Sequence, residues 1–126
     1  MSRRIVETPD APKPIGPYVQ AVDVGAAVYC AGQIGLDPQT GRLVEGGLEA
    51  QVARVIENLR AVLSASGLAL SHVVKTTVYL VDLSQGPAMN EIYGRAFSAP
   101  YPARATVQVS ALPGGALVEI DAIAVR

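Results

Sequence analysis

Arg104 and Glu119 are the residues of this chain best suited to chemistry, because each interrupts a run that otherwise reads as sheet. In Pro100–Val109, Arg104, Thr106 and Gln108 alternate with Ala103, Ala105, Val107 and Val109, the period-two pattern of a strand with unlike faces. Leu117–Val125 is apolar on both faces except at Glu119 and Asp121, as a central strand should be. Ionised groups leave water at a cost of several kcal/mol unless they are paired. An arginine and a glutamate in such positions partner each other, a ligand, or both. A guanidinium fork fits a planar carboxylate through two parallel hydrogen bonds, and a glutamate can take a proton from water and hand one to a leaving group. From spacing alone, a structural ion pair between the two is the more common outcome.

Other reactive side chains are few. The single cysteine, Cys30, lies in the apolar run Val28-Tyr-Cys-Ala31 and reads as a small buried hydrophobe rather than a nucleophile. One cysteine excludes an internal disulfide and fits a reducing, cytoplasmic setting. The single histidine, His72, stands at a loop-to-strand boundary and reads as solvent-exposed. With no second histidine, no CxxC and no HExxH, the sequence offers no structural zinc site.

Length and charge narrow the choice further. The chain has 126 residues, enough for one domain with a proper core. Ten Lys+Arg against eleven Asp+Glu, without a basic stripe, argue against nucleic acid as the main partner. No apolar run approaches the roughly 20 residues that span a bilayer, and residues 1–16 lack the apolar core of a secretory signal. Half the residues are hydrophobic and mean hydropathy is +0.32, which suggests surface that is buried against further copies of the chain.

The elements that must position Arg104 and Glu119 follow from periodicity. A short strand at about 3–6 precedes a proline-rich irregular arm at 7–17, then strands are expected at 18–23 and 26–31 with a tight turn at Val24-Gly25. Residues 32–47 read as a glycine-rich loop. Leu48, Val52, Val55, Ile56, Leu59, Val62 and Leu63 recur at helical spacing, with Gly67 as the stop. A β-branched strand at Val73–Val81 leads to Ser84 as a candidate cap and a second helix at about 86–98, with Met89, Ile92, Tyr93, Ala96 and Phe97 inward and Asn90 off the stripe. Six strands and two helices in this order predict an α+β domain with a mixed sheet. Two helices cover one face only. The other, carrying residues such as Val28, Tyr79 and Leu117 according to strand phase, must be covered by self-association.

Several blocks of the chain, taken in order, resemble one family. Gly16-Pro-Tyr-Val-Gln-Ala21, Ala31-Gly-Gln-Ile-Gly-Leu-Asp-Pro38, Val73-Val-Lys-Thr-Thr-Val-Tyr79, Pro102–Val109 and Glu119–Val125 are similar to the signature blocks of the Rid (endoribonuclease L-PSP-like) family. More narrowly they resemble its reactive intermediate deaminase A branch of imine/enamine deaminases, nearly end to end. The resemblance implies a chorismate-mutase-like fold, a homotrimer with sheets packed around the three-fold axis, and three clefts between subunits. It further implies hydrolysis of small 2-imino acids or their enamine tautomers to ammonia and a 2-keto acid, as in 2-iminobutanoate/2-iminopropanoate deaminases, with neither cofactor nor metal. Through it, Arg104 becomes the carboxylate-binding arginine and Glu119 the residue that handles the attacking water. Tyr18 and Asn90 match lining positions, while Gly32 and Thr106 fall where backbone groups approach the ligand. Ala31 replaces a common serine, Thr106 a frequent cysteine, and the stretch between Tyr93 and Arg104 is shorter than in many relatives.

The competing reading is a non-catalytic module that binds 2-keto acids or similar carboxylates in the same cleft and regulates a partner. It needs Arg104 but gives Glu119 nothing to do. Ribonuclease or translation-inhibiting activity, attached to some members of the family, is disfavoured by the charge balance and by the lack of a histidine pair or an aromatic-studded basic face.

Overall fold

The computed structural model describes residues 3–126. Its strands are β1 (Arg4–Val6), β2 (Ala21–Asp23), β3 (Ala27–Ile34), β4 (Val73–Leu80), β5 (Ala103–Gln108) and β6 (Val118–Val125). Helices α1 (Gly47–Ser64) and α2 (Gly86–Ala96) interrupt them on either side of β4. All six strands form one mixed sheet in the order β1-β2-β3-β6-β4-β5. Only β4 and β5 pair in parallel, because α2 returns the chain between them; the other neighbours are antiparallel. This is the expected α+β architecture, with both helices on one face.

The apolar stripe of α1 lies against the sheet as its spacing requires. Leu48, Val52, Val55, Ile56, Leu59, Val62 and Leu63 are all buried. They meet Val118, Ile120, Ala122 and Ala124 of β6 and Val78 and Leu80 of β4 in one continuous core, each large side chain contributing roughly 1.5–3 kcal/mol by leaving water. The alternate residues of β6 and β4, namely Glu119, Asp121, Ile123, Thr77 and Tyr79, point to the other face and are only partly covered. Tyr29 and Val107, which pair with these strands, are 50% and 40% exposed. Val28 is not on that face: it pairs with Ala124 and is fully buried beneath the helices.

Other expectations shift for local reasons. The segment 18–23 is strand only from Ala21, because Tyr18 N–H donates to Gly16 O at 2.8 Å and closes a turn. Conversely β3 runs past residue 31 to Ile34, so Gly32 belongs to a strand rather than a loop. Ser84 does not cap α2. Asp82 Oδ1 accepts from Ser84 N–H at 3.0 Å and caps a short 3-10 turn at Leu83–Gln85, and Pro87 then opens the helix. His72 lies in the 3-10 turn before β4, where its Nδ1 accepts from Ala69 N–H at 2.9 Å. Cys30 is buried, and burial, reinforced by the charge of Asp121, pushes its thiol up to about 12.

Asp23 fastens the chain ends to the sheet. Arg126 donates to both of its oxygens at 3.1 and 2.9 Å, Gly25 N–H to Oδ1 at 2.9 Å, and Arg4 to Oδ2 at 3.1 Å. These contacts, Arg126 foremost, lower its carboxyl from 3.8 to about 2. Because the folded value lies below the unfolded one, the stabilisation is present above about pH 4 and is lost as pH falls towards 2. Acid unfolding followed by circular dichroism should therefore show Asp23→Asn less stable than wild type at neutral pH, with the difference closing between pH 4 and 2.

Candidate active site

Glu119 sits on the open face of β6, between β3 and β4, opposite Ile34 on one side and Tyr79 on the other. The β3–β6 register slips between Cys30 and Gln33, which sets Ala31 and Gly32 into a bulge alongside it. A Cβ at position 32 would overlap the Glu119 carboxylate, so any other residue there must displace it. The carboxyl is half-buried and its pKa is raised, first by burial and then by the like charge of Asp121 two residues on. Asp121 itself is tied to β4, accepting from Thr77 N–H at 3.1 Å and from the Tyr79 hydroxyl at 3.2 Å.

Above Glu119 opens a cleft of about 400 Å³. Gly32 and Glu119 form its base, and the proline-rich arm supplies Pro12, Lys13, Ile15 and Tyr18 as its wall. Buried Gln20 holds that arm in place. Its Nε2 donates to Thr8 O and Pro12 O at 3.0 Å each and to Ala11 O at 3.3 Å, while its Oε1 accepts from Thr8 N–H at 2.7 Å. Tyr18 Oη accepts from Ile15 N–H at 3.3 Å, which turns its half-exposed ring along the cleft. From beneath, α1 fixes the far side with two buried polar side chains. Asn58 Nδ2 donates to Ile34 O and Leu36 O at 3.2 and 3.0 Å, and Gln51 Oε1 accepts from Leu117 N–H at 2.8 Å, two residues before Glu119.

Arg104 is elsewhere. It lies on the edge strand β5, at the level of Thr76 and hence of Ala122, with its guanidinium 4.9 Å above the ring centre of Tyr93 on α2. That stacking turns it to the helix side of the sheet, whereas Glu119 faces the open side. Thr76 and Tyr93 are joined by a 2.7 Å hydroxyl–hydroxyl hydrogen bond that fixes the ring. Asn90 is exposed one turn before Tyr93, and Thr106 lies two residues beyond Arg104 on the same strand face. The six sequence-predicted residues thus fall into two groups: Tyr18, Gly32 and Glu119 around the cleft, and Asn90, Arg104 and Thr106 at the β5–α2 edge. Two strand spacings of about 4.8 Å, three residues along the strand and the sheet itself lie between them. Within one chain Arg104 and Glu119 do not meet, so the ion pair favoured by spacing does not form.

Among the described residues no carboxylate lies within ion-pairing distance of Arg104. The same residues hold no cluster of three His, Cys, Asp or Glu that could grip a metal, and no helix long and apolar enough to cross a membrane. Sequence reasoning missed Lys13, Gln20 and the Tyr93 platform. Gln20 had a signal, a polar residue just inside a strand start, but nothing in periodicity connects Tyr93 with Arg104.

Two helices packed on one face of a six-stranded mixed sheet, with a half-buried carboxylate on the open face, define a small α+β class of protein. The chain belongs to the Endoribonuclease L-PSP family, also called Rid, whose profile matches residues 8–126. It is 57% identical to protein DfrA of Myxococcus xanthus, covering 99% of this chain and 97% of that one. It is 48% identical to a mouse 2-iminobutanoate/2-iminopropanoate deaminase, covering 98% and 92%. The structure of Escherichia coli TdcF with bound serine superposes with a TM-score of 0.94 at 43% identity, covering 98% of both chains.

Gly32→Ala tests the assignment of Glu119. The overlapping atoms are the far end of a flexible side chain, so the fold should survive with a melting shift of at most a few degrees, on the order of 1 kcal/mol. Any activity that requires Glu119 in place should fall by roughly tenfold or more, read as kcat/KM.

Proposed function

We propose that this protein hydrolyses small 2-imino acids and their enamine tautomers to ammonia and 2-keto acids, in a site completed by a neighbouring copy within a homotrimer. The observation that carries this reading is the division of charge. Among the described residues, a desolvated glutamate lines a cleft with no cation within ion-pairing distance, and an arginine without a carboxylate waits on the opposite side of the same sheet. A second copy bringing its β5 edge to this cleft unites them and covers the open sheet face.

The chemistry needs little more. The guanidinium, held flat by Tyr93, takes the substrate carboxylate through two hydrogen bonds and so fixes the face of C2 presented to water. Backbone N–H groups near Thr106 and Gly32 hold the remaining lone pairs. Glu119 accepts a proton from water as the oxygen bonds to C2 and the C=N electrons move to nitrogen. It returns that proton to nitrogen to give the carbinolamine, then takes the hydroxyl proton and passes it to the amino group, so that the C–N bond breaks and ammonia departs as the carbonyl forms. A raised carboxyl pKa suits both halves, since the same group must be base and then acid. Support comes from relatives: the mouse protein is named as this deaminase, and TdcF carries serine, a small amino acid with one carboxylate.

Ammonia release should be measured with imines generated in situ by an amino-acid oxidase. Arg104→Ala should abolish turnover and keto-acid binding together. Glu119→Gln should slow turnover while sparing binding; retained activity in Arg104→Ala refutes the proposal. Co-refolding the two variants in equal amounts should restore roughly a quarter of wild-type activity, because a shared site needs one intact residue from each copy. Since Glu119 acts first as base, kcat/KM should fall on the acid side with a midpoint above the ordinary glutamate value.

A further inference from the structure

We propose that Lys13 selects the substrate's side chain, making the cleft favour 2-imino acids whose side chain ends in a second carboxylate over those that end in a cation. This rests on the deaminase reading above and adds a specificity to it. Of the residues lining the cleft, only Lys13 and Glu119 carry charge. They are not paired with each other, and among the described residues no carboxylate lies within ion-pairing distance of Lys13. The rest of the arm wall is apolar, with Pro12, Ile15 and Tyr18.

The position of Lys13 is built rather than incidental. Gln20 grips the carbonyl of Pro12, the residue immediately before it, and that of Ala11 as well. The backbone that carries Lys13 is therefore fixed, while its four-carbon stem leaves the ammonium free to follow a ligand. When C2 stands over Glu119 and the α-carboxylate is held by an arginine arriving from a neighbouring copy, the substrate's side chain is left facing the arm wall. A short aliphatic side chain meets Pro12, Ile15 and Tyr18. An anionic end two or three carbons further on meets Lys13, and a cationic end is repelled.

Calorimetry with 2-ketopentanoate, 2-ketoglutarate and the 2-keto acid of arginine separates the side-chain terms, beside ammonia release from the matching imines. In Lys13→Ala the affinity ratio of 2-ketoglutarate to 2-ketopentanoate should drop roughly fivefold, the scale of a single exposed ion pair. Lys13→Glu should reverse the order, placing the arginine-derived acid above 2-ketoglutarate. Ratios that stay constant in both variants, equal weakening towards all three ligands, or no binding by the wild type overturn the proposal. Should the ratios move as expected while the wild type releases no ammonia from any imine, the deaminase reading fails and side-chain selection by Lys13 stands.

Discussion

A carboxylate in the middle of a central strand is the constraint around which this molecule is arranged. Glu119 cannot be withdrawn from the sheet, because its neighbours Val118 and Ile120 are fully buried under the helices. Nor is it neutralised by a cation of its own chain. Its desolvation is tolerated because the carboxyl opens onto a cleft, and because β3 bulges at Ala31-Gly32 to leave room for it. The raised pKa is the thermodynamic trace of that placement.

The frame around Glu119 is held by buried amide side chains rather than by ion pairs. Gln20, Gln51 and Asn58 each reach backbone groups of a segment that lacks regular structure or begins a strand: the arm, the start of β6, and the turn after β3. A buried amide that finds its partners is worth modestly more than its absence, but leaving one orphaned costs about 1–3 kcal/mol. Three such residues therefore specify where the cleft wall stands more strictly than apolar packing alone would. The arginine half of the site is built differently, on a stacked tyrosine fixed by Thr76. Arg104 is exposed and meets no carboxylate among the described residues.

Much of the fold could be read before any coordinates. The stripe of α1, the alternation in β5 and the two-faced apolarity of β6 each have one physical interpretation, and the structure follows them. What resisted were the boundaries set by side chains reaching across the sequence. Strand β2 starts at Ala21 rather than at residue 18 because Tyr18 closes a turn onto Gly16, and Gln20 turns inward to bind the arm. Glycine at 32 looked like a loop marker, yet it belongs to a strand whose neighbour needs the space. Of the candidate site, residue types were legible and faces were not. Arg104 and Glu119 stood out as charges in apolar strands, but a strand pattern states that two faces differ without stating which one meets the helices, and a pairing inside one chain was consistent with it. The homologous blocks pointed to a shared cleft; only the register placed the two charges on opposite sides.

Cys30 gives the molecule a chemical immunity. Electron-poor carbon compounds are trapped by thiolates. Here the sole sulfhydryl lies under the helices, and with an acidity near 12 it is almost never ionised at neutral pH. Thr106, beside Arg104, offers a hydroxyl in place of a softer nucleophile. The sulfhydryl of this chain is consequently withheld from any electrophile that reaches its surface.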